Sequence, residues 1–224
     1  MTLHPMGDAA VVLEIGQAID EPTMARVGSV ARAIAGHPPA GVTDIVPAFG
    51  SVTVFYDPRK IGSYADLAGA LMKLSAPAER APSAATARVV EIPVCYGGEF
   101  GPDLGVVAAH TGLTPEEVIK LHSGGEYRVH AIGFSPGFPY LGGLPPRLNT
   151  PRRATPRPLV PAGSVGIGSA QTGVYPIASP GGWNLIGRTP RALFRLHLSP
   201  PALLLTGDRV KFRPISREEF AAWK

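Results

Sequence analysis

The chain has 224 residues, of which 45% are hydrophobic and 17% charged. That balance excludes a disordered chain and supplies enough apolar surface for one large core or two small ones. No apolar run reaches bilayer-spanning length, and the formal net charge of +4 is modest; Pro-rich spacing around the arginines cannot form a recognition helix.

The N-terminal stretch MTLHPMGDAAVVLEIG carries an acid within its apolar residues and no cleavage-site pattern, so a signal peptide is not expected. AAVVLEIG within it reads as a strand. DEPTMARVGSVARAIAG has helical spacing at Met24, Val27, Val30, Ala31 and Ile34, with Asp20 suited to the N-cap, Pro22 to the first turn and Gly36 to the stop. GVTDIVPAFGSVTVFYDP reads as two strands ended by Asp57-Pro58, and SYADLAGALMKL as a second amphipathic helix along Leu67, Ala70, Leu71 and Leu74. These elements predict a small helix-covered, largely antiparallel sheet over residues 1–74. SAPAERAPSAATAR is rich in Ala and Pro, lacks large apolar residues, and reads as a linker over residues 75–88.

A second domain is expected over residues 89–224. VVEIPVCYGG opens it as a strand in which the lone Cys95 reads as a small buried residue. A single cysteine excludes an intrachain disulfide framework and suits a reducing cytoplasm. GPDLGVVAAHTG and LTPEEVIKLHS read as short helices, the second with capping-box spacing from Thr114 to Glu117. EYRVHAIGF is a strand. Beyond it short strand signals (GVYPI, WNLIG, ALFRLHL, RVKFRPI) alternate with Gly and Pro, which predicts a closed or sandwich-like β-structure with elaborate loops. SREEFAAW reads as a terminal helix.

Charge in this half is unevenly spread. From Tyr127 to Gly207 there is no Asp, Glu or Lys, although the whole chain holds 17 acids. The same interval carries Arg128, Arg147, Arg152, Arg153, Arg157, Arg188, Arg191 and Arg195. Arginine without lysine favours planar, bidentate recognition of carboxylate or phosphate; the alternative for any one of them is to cap a carbonyl or to pair with an acid from elsewhere. PRRATPRPLVPAGS sets three of them among four prolines. Around it FSPGFPYLGGLP, QTGVYP and SPGGWNLIGRTP offer rigid Pro/Gly loops with aromatic and neutral polar side chains, an arrangement suited to a small anion. The six histidines have no metal-ligand spacing, GSVGIGS lacks the Lys-Ser/Thr ending of a phosphate loop, and Pro136 stands where a nucleophile elbow at Ser135 needs an N–H. No metal site, nucleic-acid contact or membrane contact is expected.

GFSPGFPYLGGLP, PRRATPRPLVPAGSVGIG, QTGVYP and SPGGWNLIGRTP, with the N-terminal GVTDIVPAFGSVTVFYDP, strongly resemble the family that contains the B subunit of 5-oxoprolinase, the kinase inhibitor KipI and allophanate hydrolase subunit 1. The resemblance implies an α+β chain: a small α/β N-terminal domain followed by a cyclophilin-like β-barrel. It also implies an enzyme component, inactive alone, that joins subunits C and A in ATP-dependent hydrolysis of 5-oxoproline, with ATP and Mg²⁺ acting at the level of the complex. On this reading Arg152, Arg153, Arg157, Ser164, Gln171, Tyr175 and Arg188 bind the anionic substrate. Phe134, Pro136, Gly137, Phe138, Tyr140, Gly181, Gly182 and Trp183 shape the site. Carboxylates for metal binding and proton transfer, absent from the arginine-rich stretch, are expected from a partner subunit. The alternative within the same family is a protein that binds and inhibits a sensor histidine kinase.

Overall fold

The computed structural model describes residues 1–18, 20–80 and 88–223. The chain divides into two compact units, Met1–Thr86 and Ala87–Lys224. No helix among the described residues is long and apolar enough to cross a membrane.

The first unit holds β1 (Thr2–Pro5), β2 (Ala10–Glu14), α1 (Glu21–Gly36), β3 (Val42–Ala48), β4 (Ser51–Tyr56) and α2 (Tyr64–Arg80). Its sheet has the order β1-β2-β4-β3 with every neighbour antiparallel. Asp20 caps α1 by accepting a 2.8 Å hydrogen bond from the Thr23 N–H, which satisfies one of the donors a helix start leaves open. Val27, Val30 and Ile34 of α1 and Leu67 and Leu71 of α2 bury against Val11, Leu13, Val52 and Val54 of the sheet. Two expectations need correction. The first strand, β1, carries a single apolar residue, Leu3, which packs on the core, too weak a signal to be expected as a strand. The expected linker is helical in its first part: α2 runs on through Pro77 to Arg80, because alanine favours the helix and Ala78 packs on the unit's core, outweighing the one hydrogen bond that Pro77 removes. The rest of that segment, residues 81–87, lies outside the described residues.

The second unit contains β5 (Val89–Tyr96), α3 (Leu104–Thr111), α4 (Pro115–Gly124), β6 (Tyr127–Ile132), β7 (Pro139–Gly142), a 3₁₀ turn (Pro146–Leu148), β8 (Arg157–Val160), β9 (Ser164–Gly168), β10 (Gln171–Val174), β11 (Ser179–Gly181), β12 (Asn184–Arg188), β13 (Arg209–Pro214) and α5 (Arg217–Ala221). Seven strands close into a barrel in the order β10-β7-β6-β13-β5-β12-β9. Within it β13 and β5 are parallel and the other pairs antiparallel. The mixed α+β class is therefore as expected, and closure of the barrel removes the free edges of its seven strands. ALFRLHL is not the expected strand. It makes only an isolated bridge, Phe194 to Ala202, in a segment bounded by Pro190, Pro200 and Pro201, which cannot donate to a ladder. Conversely, part of the Pro-rich stretch is a strand: β8 pairs with β11 as a two-stranded ribbon separate from the barrel sheet.

Strand alternation assigns the two faces of the barrel wall. Val165 and Ile167 of β9, Val174 of β10, Leu141 of β7 and Ile186 of β12 point into the main core. Between them Gly166, Gly168, Gly173 and Tyr140 take the opposite face, where a separate apolar cluster forms.

Candidate functional site

That second cluster is built on glycine. A Cβ at Gly168 would lie 2.5 Å from Trp183 Nε1, one at Gly166 3.1 Å from Trp183 Cβ, and one at Gly173 3.0 Å from Trp183 Cζ3. Three side chains are thus missing from the wall where the indole lies against it. Phe138, Val160, Tyr175 and Leu185 pack with Trp183, and Tyr140 adds its ring. The rings meet edge to face: Phe138 to Trp183 at 5.6 Å, Phe138 to Tyr175 at 5.2 Å and Phe138 to Tyr140 at 4.9 Å, the geometry preferred by aromatic quadrupoles.

A cleft of about 180 Å³ opens on this cluster, lined by Phe134, Phe138, Tyr140, Arg152, Arg153, Pro156, Tyr175, Gly181, Gly182 and Trp183. Phe134 is 61% exposed yet touches Phe138 and Tyr175 edge-on at 5.4 and 6.3 Å. It also sits at φ 68°, in the left-handed region that non-glycine residues rarely adopt. The Arg152 guanidinium lies 5.8 Å from the Trp183 ring centre, within cation–π range. Burial pushes the Tyr175 phenol up in pKa, with the Trp183 N–H and the nearby arginines Arg152 and Arg157 pulling the other way. The hydroxyl thus stays protonated at neutral pH and can donate.

Nine of the ten lining residues belong to the set expected from sequence; Pro156 is the addition. The structure does not bring the remaining expected residues to the cleft wall. Arg157 shares one carboxylate with Arg153 and is not among the lining residues. Arg188 donates from Nε to the Ala162 carbonyl at 2.8 Å. Ser164 is buried at the start of β9. Gln171 opens β10 opposite Gly168. Pro136 and Gly137 form the turn beneath Phe134, where Gly137 takes φ 80° and the Phe138 N–H returns to the Ser135 carbonyl at 3.0 Å.

The residue that sequence reasoning missed is Asp103. It is only 3% exposed and stands immediately before α3. Its Oδ1 accepts from Arg153 Nη1 at 3.0 Å and from Arg157 Nη2 at 2.8 Å, and its Oδ2 from the Leu185 N–H at 2.7 Å. The alternative given for any single arginine, pairing with an acid from elsewhere in the fold, thus holds for Arg153 and Arg157. Asp103 lies outside the acid-free stretch, and the fold carries it in. The one local signal, an Asp before a helix, points to capping, and this Asp makes no side-chain cap.

Four buried polar atoms on the segments that build the cleft have no hydrogen-bond partner among the described residues: Ser135 Oγ, Arg153 Nε, Arg157 Nη1 and Ser179 Oγ. Unsatisfied buried donors are uncommon in folded proteins, and of these four residues Arg153 lines the cleft itself. Among the described residues no group of three or more His, Cys, Asp or Glu could hold a metal ion. The cleft's nearby carboxylate, Asp103, is committed to two guanidinium groups, so the donors of this cleft do not fit Mg²⁺. On the far side of the 151–155 segment a shallower groove of about 430 Å³ shares Arg152 and Arg153 and adds His110, Thr150 and Asn184.

Residues 1–204 match the family model for the carboxyltransferase domain, subdomains C and D. The chain is 47% identical to the B subunit of the 5-oxoprolinase of Bacillus subtilis (strain 168), over 99% of this chain and 96% of that one. The crystal structure of TTHA0988 in space group P212121 matches with a TM-score of 0.80 and 42% identity over 92% of this chain; this chain spans 40% of that one. The Kluyveromyces lactis urea carboxylase has the same fold, with a TM-score of 0.75 at 20% identity over 98% of this chain and 22% of its own.

Proposed function

This chain belongs to the carboxyltransferase-domain family of subdomains C and D, and we propose that it is the B subunit of a 5-oxoprolinase, holding 5-oxo-L-proline for hydrolysis to L-glutamate. Its curated bacterial relatives are named as that component of 5-oxoprolinase, and the name itself implies companion subunits. The observation that carries the reading is the charge balance beside an aromatic cleft: three guanidinium groups, Arg152, Arg153 and Arg157, against the single carboxylate of Asp103. 5-Oxoproline offers what that arrangement lacks. Its carboxylate matches the surplus arginine donors, and the faces and edges of its five-membered ring suit the Phe138, Tyr140 and Trp183 walls.

The chain's part in the reaction is to bind, orient and partly desolvate. The lactam is unstrained and resonance-stabilised, so opening it at neutral pH requires activation of the amide oxygen by ATP before water attacks. We assign ATP, Mg²⁺ and the acid–base groups to subunits C and A, because this cleft offers arginines, a neutral phenol and ring faces, and no free carboxylate. The chain alone is accordingly inactive.

The test is reconstitution. Glutamate formation from 5-oxo-L-proline is measured with the three subunits together, with each omitted, and without ATP. Turnover is expected only in the full mixture with ATP, and Arg152→Ala is expected to raise KM about tenfold or more, the scale of one lost charge-assisted contact. Turnover that persists without this chain would overturn the reading and leave kinase inhibition as the function to pursue.

A further inference from the structure

We infer that Asp103 is the positioning residue of the cleft: its buried carboxylate, shared with Arg157, holds Arg153 on the cleft wall so that a substrate carboxylate, and not its neutral analogue, is preferred there. The inference rests on the anion-binding reading given above and adds the residue that sets its specificity.

Four observations converge on Asp103. First, one oxygen, Oδ1, takes both guanidinium groups, at 3.0 and 2.8 Å, leaving Oδ2 to the main chain. A carboxylate can take a bidentate arginine by itself. Here each arginine receives a single bond from it and retains donors to spare. Second, those spare donors include Arg153 Nε and Arg157 Nη1, both buried and without an acceptor among the described residues. Third, the local charge does not close. Two guanidinium groups against one carboxylate leave one positive charge, before Arg152 is counted, in a half-buried setting where an unpaired charge is costly.

Fourth, Asp103 is itself fixed on both sides. Its N–H donates to the Leu185 carbonyl at 2.9 Å while its Oδ2 accepts from the Leu185 N–H at 2.7 Å. Just before it, a Cβ at Gly101 would lie 2.0 Å from the Ile186 carbonyl oxygen, so only glycine permits the approach of this segment to β12. The Arg153 N–H in turn donates to the Gly182 carbonyl at 2.8 Å, next to Trp183. Asp103 thereby joins the start of α3, the Pro-rich segment and the strand that follows Trp183. Arg153 is thus held by a fixed anion while it lines the cleft, where the uncompensated positive charge of the pair favours a second anion.

A role confined to folding, a role in bulk charge and a role in positioning predict different outcomes for Asp103→Asn. The full chain is titrated with 5-oxo-L-proline and with the neutral 5-oxo-L-prolinamide, following tryptophan fluorescence, since Trp183 lines the cleft. The wild type is expected to prefer the carboxylate about tenfold or more. Positioning requires that preference to collapse in Asp103→Asn even though the variant has gained positive charge. A preference that rises would show bulk attraction, and one that stays the same while only the melting temperature falls would show a purely structural role; either overturns the inference. Should Asp103→Asn fail to fold, Arg157→Gln serves in its place. It leaves Asp103 balancing Arg153 one to one, so the preference must again fall, and its retention overturns the inference. A wild type that binds neither ligand overturns the parent reading along with it. A wild type that binds both equally overturns the carboxylate reading alone.

Discussion

Phe134 is the residue whose backbone and side chain are in open conflict. Its φ of 68° costs an L-residue about 1 kcal/mol or more, and its ring is mostly exposed, so little burial offsets that cost. What the ring does gain is a place over Phe138 and Tyr175 at the mouth of the cleft. Phe134→Gly is therefore expected to leave stability level or raise it by up to about 1 kcal/mol while weakening 5-oxoproline binding. Urea unfolding and ligand titration on one preparation check both, and a variant that binds as well as the wild type would remove Phe134 from the site. Gly168 makes the complementary case. A methyl there would press on the indole 2.5 Å away, so Gly168→Ala should displace Trp183, cost about 1–3 kcal/mol and shift tryptophan emission. At this scale the sequence was informative wherever chemistry and position coincide along the chain. The aromatic and glycine motifs were legible because neighbours in sequence are neighbours in the cleft. The pairing of Arg153 and Arg157 with Asp103 was not, because about fifty positions separate donor from acceptor and no local pattern encodes that closure.

The same limit applies to whole elements. Helices α1 and α4 could be read to their caps, since Asp20 with Thr23, and Thr114 with Glu117, are local bonds. The β8–β11 ribbon could not, because strand pairing within Pro-rich chain depends on what folds back onto it. One element-level feature left no sequence signal: the clamp of α4 to the barrel. His122 is fully buried and stacks on Phe212 at 4.6 Å. The Thr172 hydroxyl donates to the Gly166 carbonyl at 2.9 Å, so it accepts from His122 Nε2 at 3.0 Å. That leaves Nδ1 to accept from the Tyr96 hydroxyl at 2.8 Å. The imidazole is therefore neutral, with its proton on Nε2. Burial lowers its pKa from 6.5 to about 3. Between those values the unfolded chain binds a proton that the folded one refuses. The contribution to stability is full above pH 6.5 and is lost as pH falls toward 3, a swing on the order of 5 kcal/mol. His122→Gln should flatten that part of the stability profile, and urea midpoints taken from pH 7 to pH 4 would show it. An unchanged slope would mean that other groups govern acid unfolding.

At the scale of the molecule, the apolar residues sort into cores that share no member. One is the α1–α2 sheet core of the first unit, and another fills the barrel of the second. Each has its own sheet, closed by contacts among its own elements. Both tryptophans, Trp183 and Trp223, belong to the second unit, so fluorescence follows the barrel alone while circular dichroism follows both units. Leu71 is fully buried in the first core, and Leu71→Ala should cost that core about 2–5 kcal/mol. If the units are energetically separate, the variant's dichroism transition broadens or splits toward lower urea. Its tryptophan transition and its affinity for 5-oxoproline stay at wild-type values, because the cleft, Asp103 and the arginines all belong to the other unit. If the fluorescence midpoint falls in step with the dichroism, the two cores unfold as one. The cleft's preorganisation would then have to be credited to the entire chain and not to the barrel.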